Sequence, residues 1–296
     1  MKKVLRAAYA RTPSSVRLMY GRMWKARAFV DRLVCSERDV ENRLKGTNLF
    51  FLLGSGRCGT QLISSMLNKA PNTLALHEPH RHEDVGTRPM ARRNPEFALR
   101  YVHDYRRYEI YKKVREHDVA NYGEVSSPLR CLGEALRTEF PHARFFILVR
   151  DPRTAIRSAM NRQMRKKGED TGVWNHEPVR PLPDDPYAEQ WDRMTPYEKF
   201  CWWWMDSYRM LLDHLPGAPI VQFEKIVSSW DYVRDEIVEP IGLEIGENEW
   251  LASVTRKSDN AAPTYVVESF DDWPDDQREA FIRICGETME RVGYSM

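Results

Sequence analysis

Eight consecutive residues, Gly54-Ser55-Gly56-Arg57-Cys58-Gly59-Thr60-Gln61, carry the sharpest chemical signal in the chain. They follow an apolar run, Asn48-Leu49-Phe50-Phe51-Leu52-Leu53, and lead into a helical pattern. Gly54 and Gly59 have the spacing of a loop that cradles phosphate. Such a loop offers an anion its bare backbone N–H groups and the positive end of a helix dipole. Gly56 and Gly59 let the backbone come close, and Arg57 adds a cation at the apex. Thr60 stands where the lysine of a nucleotide triphosphatase would be, and Gln61 where its magnesium-holding hydroxyl would be. The loop therefore keeps an anion cradle and lacks two parts of metal-assisted phosphoryl transfer, which points to an anionic donor other than ATP. A tight glycine turn between strand and helix would show the same spacing.

A second block, Leu148-Val149-Arg150-Asp151-Pro152-Arg153, ends another apolar run, and Ser158 follows it. Pro152 suits the first turn of a helix. A guanidinium at a strand end can meet a phosphate with paired donors. Ser158 lies two helical turns beyond Arg150, roughly 9–12 Å along the axis, so both reach one anion only if the strand end folds back. A third group, His77, Glu78, His80, His82, Glu83 and Asp84, follows a weaker apolar run. It lacks the His-Glu-x-x-His spacing of a helical zinc site. It reads as a polar loop carrying one useful carboxylate, with no metal.

These groups need elements to place them. Runs at 48–53, 73–76, 144–149 and 219–223 predict strands, with a weaker one near 122–126. Helical periodicity fits 60–69, 97–117, 130–139, 153–167, 196–214, 230–239 and 275–292. The unbroken apolar run of 145–149 suits a strand covered on both faces of a parallel sheet. The alternation predicts an α/β three-layer sandwich, its central sheet mostly parallel. Ligands of such sheets bind beyond the carboxyl ends of the strands, where all three groups would converge. If the strand before Glu78 persists, its side chains alternate, and His77 and Glu78 would not both face the site. Trp202-Trp203-Trp204 fits core packing, with at least one ring facing away from the other two.

At 296 residues, 42% of them hydrophobic, the chain can build a full core. A net charge of +2 speaks against a bulk nucleic-acid binder. Residues 1–46 form a basic helical arm with twelve Lys or Arg against four acids, a surface suited to peripheral membrane contact. Residues 47–296 form the main domain, with a Pro-rich, lid-like excursion at 168–193. Five scattered cysteines fit reduced thiols in a cytoplasmic setting. No apolar run is long enough to cross a bilayer as a helix.

The loop and the Arg150 block together resemble the paired donor-binding motifs of the sulfotransferase superfamily, and the likeness covers about 48–294. Glu224 in Phe223-Glu224-Lys225-Ile226 and the closing Gly293-Tyr294 extend it. The resemblance implies 3′-phosphoadenosine-5′-phosphosulfate (PAPS) as donor and no metal. It implies that Gly56, Arg57, Cys58, Gly59, Thr60 and Gln61 hold the 5′-phosphosulfate. It implies that Arg150 and Ser158 hold the 3′-phosphate, with Arg256 and Lys257 as further donor contacts. Cys58 replaces the usual Ser of the loop and Gln61 a frequent Thr. Leu76-His77-Glu78-Pro79 resembles the Glu-Pro segment of the carbohydrate and tyrosyl-protein branches, which implies Glu78 as general base, with His77 or His80 as rivals. Arg57 would stabilise the leaving oxygen. The implied activity is transfer to a hydroxyl or amine acceptor, a carbohydrate or glycolipid favoured. Two other readings stand beside it: a P-loop kinase, and a non-catalytic binding protein with a degenerate sulfotransferase fold.

Overall fold

The computed structural model describes residues 24–164, 180–255 and 270–295, and for 161–164 the backbone alone. Five strands, β1 (Asn48–Gly54), β2 (Thr73–His77), β3 (Asn121–Ser126), β4 (Arg144–Val149) and β5 (Ile220–Gln222), form one sheet in the order β2-β3-β1-β4-β5. Every pairing is parallel. All five carboxyl ends therefore lie on one edge, and the loops that follow them share it.

The two faces of the sheet are both buried, as the apolar runs predict. Along β1, Leu49, Phe51 and Leu53 enter one apolar cluster, and Phe50 and Leu52 enter the other. Along β4, Ile147 and Val149 face the first cluster, and Phe146 and Leu148 the second. The first is closed by the long helices Pro196–His214 and Asp275–Arg291. The second is closed by the helix Thr60–Leu67 and the segment around Ile226, Val233 and Ile237. Helices on both faces of a parallel sheet make three layers.

The helix Arg81–Ala91 occupies a stretch whose residues read as a polar loop. Its inward face is Asp84, Thr87, Arg88 and Ala91, so the helical period is written in polar residues and hydropathy does not register it. The expected helix at 97–117 begins at Pro95 and carries a π-helical turn over Val102–Arg106. Within the basic arm, the helices Trp24–Val34 and Glu37–Lys45 are described. In the excursion, residues 180–193 are fastened to the Pro196–His214 helix. Trp202 Nε1 donates to Asp185 at 3.3 Å, Arg209 reaches the same carboxylate at 2.6 Å, and Trp191 packs edge-on against Trp202 at 5.0 Å. No helix among the described residues is long and apolar enough to cross a membrane.

Candidate active site

The glycine loop runs from β1 to the helix Thr60–Leu67, and its shape depends on two close approaches. A Cβ on Gly54 would lie 2.3 Å from the carbonyl oxygen of Leu148, so any side chain there would push β1 from β4. Gly59 has φ +82°, and a Cβ on it would lie 2.2 Å from the Phe223 ring. Gly59 caps the helix with no side-chain hydrogen bond. The first-turn amides have no carbonyl partner within the helix, which suits them to an anion. Cys58 is fully buried, and its thiol donates to the Ser55 carbonyl at 2.6 Å. Burial, then the nearby Glu78 carboxylate, pushes that thiol up to about 12, so Cys58 offers the cradle its amide and no side chain.

Arg57 joins the two sequence blocks. Its backbone is left-handed, φ 71°, an uncommon conformation for a residue with a side chain. Its Nε donates to Ser158 Oγ at 3.1 Å, and its carbonyl accepts from Arg150 at 3.0 Å. Arg150 also donates to Thr154 Oγ1 at 3.0 Å and lies over the Phe223 ring at 5.1 Å. The strand end thus folds back onto the loop, as the Arg150–Ser158 spacing requires. Asp151 caps the helix Pro152–Met164 through the Arg153 amide at 2.8 Å and pairs with the Arg153 side chain at 2.7 Å. Glu224 accepts from the Asp151 amide at 3.1 Å and from the Tyr294 hydroxyl at 2.5 Å. The residues after β5 and at the C-terminal end therefore hold the Arg150 turn rather than face an anion themselves.

The third group divides. His77 Nε2 lies 2.9 Å from Thr60 Oγ1, at the start of the loop helix. Glu78 has φ 47°, so the strand geometry ends at His77. The alternation that would send the two side chains to opposite faces does not hold here: His77 Nε2 and Glu78 Oε1 are 3.8 Å apart. Glu78 has a side chain 6% exposed, pairs with Arg81, and accepts from Ser127 Oγ at 2.5 Å. Burial opposes its ionisation; Arg81, His77 and the Ser127 hydrogen bond outweigh burial and hold the carboxyl below its ordinary range. His80 is elsewhere. It is buried against Tyr105 (3.3 Å) and lies 3.5 Å from Glu109. Burial, with Arg106 and Arg27 nearby, pushes its pKa down to about 2, so it stays neutral within the helical layer. Glu83 pairs with Arg27 and Asp84 is buried against Arg106, so the acids of this stretch disperse around a helix. Among the described residues no group of three or more His, Cys, Asp or Glu is arranged to hold a metal ion.

Several supports escaped the motif reading. Tyr208 OH sits 3.0 Å from Ser55 Oγ and donates to the Leu148 carbonyl at 3.0 Å, bracing the loop against β4. Trp204 Nε1 donates to the Arg150 carbonyl at 3.2 Å, and the Trp203 ring lies 3.5 Å from where a Cβ on Gly56 would be. All three tryptophans are buried, and Trp202 faces the 180–193 segment instead. Arg88 and Arg130, both buried, donate to the Ser127 carbonyl at 3.0 and 2.9 Å. Only the aromatic periodicity of 196–214 hinted at any of these. Gln61 is exposed on the loop helix. Arg256 and Lys257 lie outside the described residues. The cavity of about 370 Å³ beside Arg92, Glu134, Asp206 and His214 contains none of the expected site residues.

No protein-family model matches the sequence, and no curated protein matches it. Solved structures do. The sulfotransferase domain of the Synechococcus PCC 7002 olefin synthase is 19% identical, with 84% of this chain and 95% of that one covered at a TM-score of 0.52. The sulfotransferase domain from the curacin biosynthetic pathway is 15% identical, with 83% and 98% covered at a TM-score of 0.50. Identity at this level speaks for the fold alone, and the five-strand parallel sheet with helices on both faces agrees with it: the chain has the sulfotransferase fold.

Proposed function

We propose that the protein is a sulfotransferase that moves the sulfuryl group of PAPS to an acceptor hydroxyl, with an amine as the second acceptor class and a carbohydrate or glycolipid favoured. One observation carries this reading. Arg57 of the loop holds the second block at two points, its carbonyl accepting from Arg150 and its side chain donating to Ser158. This contact supports reading the cations of the cradle and of the β4 turn as parts of one anion site. A donor with a phosphosulfate at one end and a 3′-phosphate at the other fits such a site. The residues present fit it with backbone amides at the loop and guanidinium groups from Arg57 and Arg150.

In the proposed reaction the acceptor oxygen attacks sulfur in line. The S–O bond to the 5′-phosphate breaks, and the negative charge collects on that bridging oxygen. Arg57 and the first-turn amides stabilise it. The acceptor proton passes to Glu78. Arg81 keeps Glu78 ionised and lowers its proton affinity, so transfer falls late, when the forming O–S bond has made the acceptor proton acidic. His77, between Thr60 and Glu78, orients the pair against the loop.

The deciding experiment is thermal unfolding in the presence of 3′-phosphoadenosine 5′-phosphate (PAP) or of ATP with Mg²⁺. At a hundred times its dissociation constant, PAP is expected to add about 2.7 kcal/mol. Stronger stabilisation by ATP with Mg²⁺ would favour a kinase. Stabilisation by PAP with no ³⁵S transfer to any acceptor would favour a non-catalytic binding protein.

A further inference from the structure

Ser127 follows β3 and stands just before a short tight helix, Pro128–Leu132. A serine in that place ordinarily caps the helix, its hydroxyl accepting from a first-turn amide. Here the side chain makes no such bond. The hydroxyl turns instead to the end of the neighbouring strand and donates to Glu78 Oε1 at 2.5 Å. The Ser127 amide reaches the same oxygen at 3.4 Å. The backbone behind the hydroxyl is fixed from the other side. The Ser127 carbonyl accepts from Arg88 at 3.0 Å and from Arg130 at 2.9 Å, and Arg88 Nε donates to the Pro128 carbonyl at 3.2 Å. Both arginines are buried, and a buried cation is costly unless its donors find acceptors. Two of them on one carbonyl are more than the closure of a short helix needs.

What this clamp holds is a strained residue. The left-handed backbone of Glu78, φ 47°, is of a kind that persists only where the surroundings over-determine it. The partners also divide the carboxylate. Each of its oxygens can accept about two hydrogen bonds. Oε1 takes the Ser127 hydroxyl and amide, with His77 Nε2 a further 3.8 Å contact. Oε2 takes Arg81 and, among the described residues, nothing else. One acceptor position on Oε2 is therefore left for a proton.

We infer that Ser127 is the positioning residue of Glu78: by filling Oε1 it fixes the carboxylate plane and leaves Oε2, on the Arg81 side, to take the acceptor proton. Arg88 and Arg130 hold Ser127 in place through its carbonyl. The acceptor O–H bond breaks, an O–H bond forms at Oε2, and Ser127 keeps its own proton throughout. This role rests on Glu78 as the base of the proposed transfer.

The test follows release of inorganic sulfate from ³⁵S-labelled PAPS at saturation, where water takes the acceptor's place and needs the same base. Ser127→Ala is expected to lower kcat about tenfold or more, since the carboxylate is no longer aimed, with PAP affinity unchanged. Its acid limb in kcat should move to higher pH, because the ionised carboxylate loses a hydrogen bond. Ser127→Thr, which keeps the hydroxyl, should return most of the rate. Glu78→Gln with Ser127→Ala should be no slower than Glu78→Gln alone, because Ser127 acts only through Glu78. If Glu78→Gln is slow while Ser127→Ala keeps the wild-type rate and acid limb, the positioning role falls and the base stands. If Glu78→Gln itself turns over like the wild type, the base falls and the positioning role goes with it. The role is also overturned if the two substitutions slow the reaction additively, if Ser127→Thr is as slow as Ser127→Ala, or if Ser127→Ala weakens PAP binding in step with the rate.

Discussion

Arg150 and Glu78 show how much a single side chain owes to its neighbours. Arg150 is aimed by three acceptors or surfaces: the Arg57 carbonyl, Thr154 and the Phe223 ring. Replacing it with alanine removes one charged partner of the proposed 3′-phosphate, a loss of about 1.5–3 kcal/mol. Arg150→Ala is therefore expected to weaken PAP binding roughly tenfold to a hundredfold in a calorimetric titration, and unchanged affinity would remove this residue from the donor site. Glu78 is held ionised in a nearly buried place. Glu78→Gln is expected to preserve PAP affinity and slow turnover by about 10²-fold or more. A rate equal to wild type would transfer the proton-accepting role to His77. Because the folded carboxyl titrates below its ordinary value, the base is charged throughout the neutral range. Its acid limb in kcat should lie below about pH 4.3, the usual glutamate value, with no inflection from this group between that point and pH 8.

At the scale of elements, the loop is a compromise among three strands and a helix. β4 comes so near that Gly54 has no room for a side chain, and the Phe223 ring after β5 presses on Gly59. Gly59→Ala meets both a left-handed backbone and that ring. The backbone alone costs about 1–2 kcal/mol, and the clash adds to it. Urea denaturation should show at least that loss, and PAP affinity should fall with it as the cradle opens. Combining Gly59→Ala with Phe223→Ala should relieve the clash but not the backbone strain, so stability returns only in part. Full recovery would mean that φ +82° carries no strain here.

Across the whole molecule, a buried charge cluster ties the layers together. Arg106 from the π-helical turn lies between Asp84 of the Arg81–Ala91 helix and Glu124 of β3, all three without solvent exposure. Tyr101 donates to Asp84 at 2.7 Å and Tyr122 to Glu124 at 2.7 Å. Two carboxylates share one guanidinium. Burial first, partly offset by Arg106 and reinforced by Glu124, pushes Asp84 up to about 7. The folded state then binds this proton more tightly than the unfolded chain does. Its contribution to stability is full below the ordinary aspartate value near 3.9 and is lost as pH rises through about 7. Asp84→Asn is expected to flatten that fall, by roughly 1 kcal/mol or more between pH 5 and 7.5 in urea midpoints. An unchanged pH slope would mean that Asp84 is ionised throughout.

The sequence alone was enough for the sheet. Strands buried on both faces, such as β1 and β4, are continuous apolar runs, and such runs need no partner to be recognised, so they, the glycine loop and the Arg150 turn were legible; β3, with Gly123, Glu124 and Ser126 in it, gave a weaker signal. The helix Arg81–Ala91 was not, because its inward face is polar and contains Pro89. Nor was the proximity of His77 to Glu78, which depends on one left-handed residue ending the alternation of β2. Tyr208, Trp204 and Ser127 brace the site from positions far along the chain. Local periodicity reports which residues are buried, and only the packing of distant elements decides which buried group meets which.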